Sequence, residues 1–267
     1  MGTVTSRDGT QIAFDQSGDG PPLVIVGAAL SDRSDTRKLA DLLSHRFTVF
    51  NYDRRGRGES GDTQPYAVER EFEDLAAVIE AAGGSAYVFG SSSGAVLALR
   101  AAAAGVNVRK LVVFEPPFRV DDSTPPLPAD YEARLAEFLA SNRRGDAVKL
   151  FMSKAVGVPG PLLLAMRLIP GMWRKMTAVA HTLPYDHAVV GDTLAGRPLS
   201  PSEWATVLAP TLVIDGEKSP PVFRNAVESL VEVLPDATRL TLVKQHHGAV
   251  EMAPKVVAAA VGDYLAA

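Results

Sequence analysis

The chain has 267 residues, enough for one α/β domain with a modest insertion, and its 27 Lys and Arg residues nearly balance its 31 Asp and Glu residues. Because no block of like charge interrupts this balance, nucleic acid and anionic membrane partners are not expected. The lack of cysteine excludes disulfides, thiolate chemistry and cysteine-ligated metals. No basic stretch followed by a long apolar run begins the sequence, so we expect no signal peptide and a cytoplasmic monomer or homodimer.

Short β-type runs alternate with longer helical patterns along most of the chain. A hairpin is predicted from residues 2–6 and 11–16, because the Asp8-Gly9 pair between them favours a tight turn. This alternation predicts an α/β fold with a mostly parallel eight-stranded sheet and helices on both faces. The other predicted strands, mostly continuous apolar runs, are 23–26, 47–52, 87–89, 111–114, 211–214 and 239–243. The predicted helices are 35–44, 68–82, 94–104, 222–234 and 253–265.

The alternation stops between residues 116 and 209, where short helical segments contain proline breaks and large apolar side chains. We interpret residues 117–208 as a helical cap inserted over the carboxyl edge of the sheet, and residues 1–116 and 209–267 as the core. The large apolar side chains of this segment indicate either a pocket for an apolar substrate or the packing core of the cap itself. They include Met152, Leu162 to Leu164, Met166, Met172, Trp173 and Met176.

A Gly-x-Ser-x-Gly segment, residues 90–94, follows the predicted strand 87–89 and opens the helix 94–104. In this setting the pattern is typical of a nucleophile elbow, a strained turn on which flanking glycines avoid collisions with neighbouring backbone. The helix also directs free N–H groups and the positive end of its dipole at the site, which favours a developing oxyanion. We therefore predict that Ser92 is a nucleophile; the alternative is a turn that merely caps a helix.

These features resemble the α/β-hydrolase superfamily and, within it, small actinobacterial-type serine hydrolases with a helical cap. Residues 52–61 (YDRRGRGESG) resemble the loop after the fourth strand, and 114–118 (FEPPF) resemble the sequence that leaves the sixth. Residues 210–216 and the closing helix extend the similarity over nearly the entire chain, with the cap the least well matched part. The resemblance implies a catalytic triad and a small-molecule substrate. No Walker loop, dinucleotide fingerprint or zinc-site spacing is present, so no cofactor or metal is expected.

A serine hydroxyl is a weak nucleophile that needs a base, and histidine has a suitable pKa. The pair His246-His247 follows the last predicted strand, where the resemblance places the base. Its spacing to the last helix favours His247, with His246 as the alternative. The remaining histidines are interpreted as surface or packing residues, His45 and His181, and as a candidate substrate contact in the cap, His187.

The acid of the triad departs from the family pattern. The resemblance implies an aspartate three residues after the glycine that ends the seventh strand, but Ser219 occupies this position and cannot carry the required charge. We favour Glu115, because a carboxylate between an apolar strand and two prolines has few structural explanations. Pairing of Glu115 with an arginine such as Arg54 or Arg55 is the alternative to that role. The other candidate acids lie at the end of the seventh strand, Asp215 and Glu217.

Two backbone N–H groups are predicted to form the oxyanion hole. One belongs to Ser93, directly after the nucleophile, and the resemblance assigns the other to Ala29, with Ala28 as the alternative. A tight turn would explain the small residues at 27–29 almost equally well. The charged residues of the loop after the fourth strand are predicted to stabilise a turn, namely Asp53, Arg54 and Arg55.

Together these residues predict a serine hydrolase that cleaves an ester, thioester or related acyl bond of a small apolar substrate through an acyl-enzyme. Hydrolysis of a carbon–carbon bond, a lyase reaction or perhydrolysis would use the same serine and oxyanion hole, so these reactions stay open. A non-catalytic small-molecule-binding protein with a degenerate triad also stays open, because of the serine at position 219.

Overall fold

The computed structural model describes residues 1–267, apart from the side chain of Pro170. Its centre is an eight-stranded sheet formed by β1 (Gly2–Thr5), β2 (Gln11–Ser17), β3 (Pro22–Val26), β4 (Thr48–Tyr52), β5 (Ala86–Ser91), β6 (Val108–Phe114), β7 (Thr211–Gly216) and β8 (Ala237–Leu242). The strand order is β1-β2-β4-β3-β5-β6-β7-β8. β1 and β2 pair antiparallel, as do β2 and β4, and the other pairs are parallel. The predicted fold class is confirmed.

Helices connect the strands and form the segment between β6 and β7. They are α1 (Arg37–Leu43), α2 (Val68–Ala81), α3 (Ser93–Ala103), α4 (Tyr131–Ala140), α5 (Arg144–Leu150), α6 (Gly160–Arg167), α7 (Pro170–Ala178), α8 (Leu183–Val190), α9 (Pro201–Trp204), α10 (Pro221–Val233), α11 (Ala249–Met252) and α12 (Pro254–Ala266). The five predicted helical patterns correspond to α1, α2, α3, α10 and α12. None of the helices in the described chain has both the length and the apolar character needed to cross a membrane.

The sheet is buried on both faces, which explains its continuous apolar strands. Alternate residues of β3 show this division: Leu23 and Ile25 pack with α1 and α12, whereas Val24 and Val26 pack with α2, α3 and α10. The apolar pattern located β6 only in part. The strand begins at Val108 rather than at residue 111, since ladder pairing with β5 extends to Val108.

The segment from 117 to 208 contains α4 to α9 and, within the described residues, no strand. It has an apolar cluster of its own, in which Tyr131, Leu135 and Leu183 pack together with Leu30 from the loop after β3. Its last part packs differently, because Trp204 is fully buried against Phe118 in the main core. The division into a core and a cap domain stays a prediction.

Candidate active site

Ser92 lies between β5 and α3 and belongs to neither. Its backbone has φ of 52° and ψ of −122°, a region that non-glycine residues rarely adopt. The turn is held on two sides: the N–H of Ser92 donates to the carbonyl oxygen of Phe114 at 2.9 Å, and its own carbonyl oxygen accepts from the N–H of Ala95 at 3.0 Å. The structure thus has the strand, strained serine and helix of a nucleophile elbow at this position.

The two glycines of the elbow permit close backbone contact. A Cβ atom on Gly94 would lie 2.4 Å from the carbonyl oxygen of Gly27 and 2.5 Å from that of Val26. A Cβ atom on Gly90 would lie 2.5 Å from the carbonyl oxygen of Gly94. Because these atoms belong to the backbone of packed elements, they cannot rotate away as a flexible side chain would.

Replacing Gly94 with alanine is therefore expected to lower the free energy of unfolding by about 1–3 kcal/mol, the usual effect of overpacking a buried site. Urea denaturation followed by circular dichroism measures this change. Gly145→Ala in α5 is the matched control, because the nearest atom to its added Cβ, Nε1 of Trp173, lies at 3.7 Å. The control should lose no stability, and equal stability of the two variants would contradict the steric argument.

Glu115 and His247 are in direct contact. Nδ1 of His247 lies 2.7 Å from Oε2 of Glu115, whose side chain is fully buried. The other carboxylate oxygen, Oε1, accepts a hydrogen bond from the N–H of Gly216 at 2.7 Å and another from the hydroxyl of Ser219. Ser219 stands where the resemblance implies the acid. It donates a hydrogen bond to the carboxylate of Glu115, which contacts His247.

The imidazole of His247 is also fixed by aromatic packing. The ring of Phe223, in α10, stacks on it with a centroid distance of 4.0 Å and an interplanar angle of 14°. Since Nδ1 faces Glu115, Nε2 is the ring nitrogen that remains for proton transfer. Ser92 and His247 both line the same two cavities.

The other two candidate acids have different partners. The carboxylate of Asp215 accepts hydrogen bonds from Nη2 of Arg239 and from the hydroxyl of Thr241, each at 2.7 Å. Glu217 is exposed, and its side chain accepts a hydrogen bond from the backbone N–H of Lys244 at 2.8 Å. Neither contacts the candidate base.

Of two further alternatives, His246 as the base stays a prediction without a supporting contact, and pairing of Glu115 with an arginine is wrong. His246 is exposed, and its Nδ1 accepts from the N–H of Gly248 at 3.1 Å, so its contact is local rather than with a carboxylate. Glu115 does not pair with Arg54 or Arg55. Their carboxylate partners are Glu71 and Asp186 for Arg54, and Asp74 and Asp8 for Arg55.

The two predicted oxyanion-hole residues share a cavity with Ser92. Ala29 and Ser93 line the smaller cavity together with Ser92 and His247. Ser93 is the first residue of α3, so its N–H is one of those that a helix leaves without an internal partner. Within the described part of the chain, the N–H groups of Ala29 and Ser93 have no hydrogen-bond acceptor.

A buried charge cluster that contacts Ser93, next to Ser92, escaped the sequence analysis. The carboxylate of Asp186, in α8, accepts hydrogen bonds from the hydroxyl of Ser93 at 2.7 Å, from Nη1 of Arg54 at 2.7 Å and from Nη2 of Arg57 at 2.8 Å. Arg54 also contacts Glu71, at 2.6 Å. Burial raises the pKa of Asp186, but Arg57 and Arg54 outweigh burial, so this pKa lies below its usual value. No local signal could have found this cluster, because Asp186 is 129 and 132 residues from its arginines.

Two cavities meet at Ser92. The smaller has a volume of about 60 Å³ and is mostly apolar, with Leu127, Tyr131, Val190, Leu194 and Phe223 in its wall. The larger has a volume of about 480 Å³, and its wall contains four methionines: Met152, Met166, Met172 and Met176. His187 lines the smaller cavity, where its Nε2 lies 2.9 Å from Glu132.

The apolar residues noted between β6 and β7 thus have two roles. The four methionines line the larger cavity, and Met152, Met166 and Met176 also pack with Trp173 in the apolar cluster of the segment. Leu163 is buried, whereas Leu162 and Leu164 are exposed. Among the described residues, no three His, Asp or Glu side chains are grouped as metal ligands would be.

Comparison with known proteins agrees with this architecture. An α/β hydrolase from Sphaerobacter thermophilus DSM 20745, solved as a crystal structure, is 53% identical in sequence, with a TM-score of 0.93 over 99% of this chain and 100% of that chain. A non-heme chloroperoxidase from Streptomyces lividans is 34% identical over 154 residues, which are 54% of this chain and 56% of the relative. The uncharacterized hydrolase YraK of Bacillus subtilis (strain 168) is 35% identical over 95 residues, 34% of this chain and 35% of the relative.

The chain therefore matches between 35% and 56% of the length of these two curated relatives. The family model described as the alpha/beta hydrolase family matches residues 23–260, from β3 to α12. This range includes the elbow, the candidate acid and the candidate base. The chain belongs to the alpha/beta hydrolase family.

Proposed function

We propose that the protein is a serine hydrolase that cleaves an ester, thioester or related acyl bond of a small apolar substrate. One observation carries this proposal: the buried carboxylate of Glu115 contacts Nδ1 of His247, and His247 faces the same cavities as the strained Ser92. A serine between strand and helix, a histidine and a carboxylate, in this arrangement, are what nucleophilic acyl transfer needs.

In the proposed mechanism His247 removes the hydroxyl proton of Ser92, and the serine oxygen attacks the carbonyl carbon of the substrate. The N–H groups of Ala29 and Ser93 stabilise the negative oxygen that forms. Glu115 holds the imidazole in the reactive tautomer and stabilises its charged form. His247 then protonates the leaving group, and water, activated by the same histidine, releases the acyl group from Ser92.

The sheet explains how an acid after β6 can replace an acid after β7. The two strands are neighbours, with Phe114 paired to Ile214, so Glu115 follows β6 at the level where β7 ends. From there its carboxylate reaches both the N–H of Gly216 and the hydroxyl of Ser219. The chemistry needs the negative charge at Nδ1 of the histidine, not a particular strand to supply it.

The two cavities support an apolar substrate with one large and one small part. The volume of about 480 Å³ lies within the range of small-molecule sites, and its flexible methionines can adapt to irregular apolar groups. The volume of about 60 Å³ suits a group of only a few heavy atoms. Because both cavities reach Ser92, the scissile bond would lie where they meet.

Labelling with a fluorophosphonate, followed by peptide mapping, tests whether Ser92 is activated. We expect one covalent adduct on Ser92, no adduct in Ser92→Ala, and retained labelling in Ser91→Ala, which removes the neighbouring hydroxyl. The labelled protein should also lose its activity toward short p-nitrophenyl esters. A folded sample that is neither labelled nor active would contradict the proposal and favour a non-catalytic binding protein.

A second candidate is perhydrolysis, which the match to a non-heme chloroperoxidase favours. Hydrogen peroxide can replace water as the nucleophile that attacks the acyl-enzyme, which yields a peroxy acid and the free serine. Product analysis of an ester reaction with and without hydrogen peroxide separates the two reactions. Formation of the carboxylic acid alone in both mixtures would exclude perhydrolysis.

A further inference from the structure

The carbonyl oxygen of Ala28 accepts two side-chain hydrogen bonds. Nη1 of Arg57 donates to it at 2.6 Å, and the hydroxyl of Ser31 donates to it at 2.7 Å. This oxygen belongs to the peptide unit that also carries the N–H of Ala29. In a planar trans peptide the C=O and N–H bonds point in opposite directions. The two donors that hold the oxygen of Ala28 therefore also fix the direction of the Ala29 N–H.

Arg57 is itself held in place by the buried charge cluster. Its Nη2 donates to Oδ2 of Asp186 at 2.8 Å, and both side chains are at most 3% exposed. The other oxygen of the same carboxylate, Oδ1, accepts from the hydroxyl of Ser93 at 2.7 Å. The carboxylate of Asp186 thus connects Arg57, which holds the Ala28–Ala29 peptide, with Ser93, which carries the second N–H of the predicted oxyanion hole.

We propose that Arg57 and Asp186 are positioning residues of the oxyanion hole, which orient the N–H groups of Ala29 and Ser93 toward the carbonyl oxygen of the substrate; this inference rests on the proposed hydrolase function. Neither side chain exchanges a proton in the reaction. Donors aimed in advance at the developing charge need no reorganisation during the reaction, which is the main advantage of an oxyanion hole.

The contact between Arg57 and Ala28 also strengthens the donor. A charged donor on the carbonyl oxygen polarises the peptide, and chains of buried hydrogen bonds reinforce one another. The cluster could also stabilise the oxyanion through a general positive field, but this explanation is weaker because the cluster is balanced. The charges of Arg54 and Arg57 are matched by those of Glu71 and Asp186. The effect on the reaction therefore acts through the Ala28–Ala29 peptide.

Arg57→Gln tests this inference. Complete loss of an oxyanion donor lowers kcat about 10²- to 10³-fold, so a misdirected donor should lower kcat about 10- to 100-fold. KM should stay within about threefold, because the uncharged ground state depends less on the donor. Binding of a trifluoromethyl ketone, which forms a tetrahedral oxyanion with the serine, should weaken in parallel with kcat. Binding of the corresponding secondary alcohol, which forms no oxyanion, should not change.

Arg55→Gln is the matched control. Arg55 is as buried as Arg57 and is paired with Asp74 and Asp8, but it does not contact the loop after β3. Its loss should destabilise the fold while kcat and ketone binding stay within about threefold of the wild type, since the oxyanion donors are untouched. Equal losses of kcat in Arg55→Gln and Arg57→Gln, or an unchanged kcat in Arg57→Gln, would overturn the inference.

Two further measurements keep the test decisive if Arg57→Gln does not fold. Ser31→Ala removes the second donor to the same oxygen without changing any charge, and we expect it to lower kcat several-fold with KM little changed. The amide proton resonance of Ala29 in ¹⁵N-labelled protein should shift upfield in Ser31→Ala and stay in place in Arg55→Gln. An unchanged kcat and an unchanged resonance in Ser31→Ala would overturn the inference. If the resonance shifts in Ser31→Ala but the wild-type protein is not labelled at Ser92, the result contradicts the hydrolase function and not the positioning of the Ala29 N–H.

Discussion

Replacing Glu115 with glutamine is expected to lower kcat toward an aryl ester about ten-thousand-fold, the loss found when the aspartate of a serine-protease triad becomes an amide. The amide of glutamine can donate to Nδ1 of His247, which would leave the proton on Nε2, where the base must be free. It also carries no charge to stabilise the imidazolium. Steady-state kinetics of p-nitrophenyl acetate hydrolysis measure the loss, and urea denaturation shows whether the variant is folded.

Asp215→Asn and Glu217→Gln are the matched controls for this prediction. Asp215→Asn removes the charge that pairs with Arg239, so it should lower stability but keep kcat within about threefold. Glu217 is exposed, and its amide should change neither quantity by much. A Glu115→Gln enzyme with wild-type kcat, or a large loss of kcat in Asp215→Asn, would contradict the assignment of the acid.

Replacing His247 with alanine is expected to lower kcat about a million-fold, as loss of the triad histidine does in subtilisin. Without the imidazole no group accepts the proton of Ser92, and the contact of Glu115 with Nδ1 is lost as well. The residual rate would come from the oxyanion hole and from substrate binding alone. Kinetics with p-nitrophenyl acetate measure this loss.

The neighbouring histidine provides the control. His246→Ala removes the same side chain one residue earlier, where the ring is exposed and contacts only the local backbone. Its kcat should stay within about threefold of the wild type, since surface substitutions away from the site have small effects. Comparable losses in the two variants would mean that the loop after β8, rather than one imidazole, determines the activity.

The elbow could be predicted because all its signals are local. An apolar strand, a glycine on each side of the serine and an apolar helix lie within about twenty residues. The glycines are required because an added Cβ atom would lie only 2.4 to 2.5 Å from neighbouring backbone oxygens. The fold class was predictable for a similar reason. Strands buried on both faces are continuous apolar runs, and they alternate with amphipathic helices along the chain. The ends of the strands were predicted less well. β6 begins at Val108, before its apolar run, because pairing with β5 extends the strand beyond the residues that hydrophobicity indicates.

The predicted partners of Ser92 are a different case. Glu115 and His247 are 132 residues apart, and three carboxylates near the ends of β6 and β7 were candidates for the acid. The neighbouring position of these strands brings the carboxylate of Glu115, rather than that of Asp215 or Glu217, into contact with His247. The contacts of Asp186 with Arg54 and Arg57 are equally remote in sequence, and nothing near Asp186 distinguishes it from an exposed helical aspartate.

The sequence by itself therefore determined the fold class and the position of the strained turn at Ser92, because strand burial, helix periodicity and the glycine turn are properties of short stretches. The tertiary structure decided which carboxylate contacts His247 and which charges hold the loop of Ala29. A hydrogen bond requires its two atoms to lie within about 3 Å, and for residues more than a hundred positions apart only the packed sheet and its helices bring them that close.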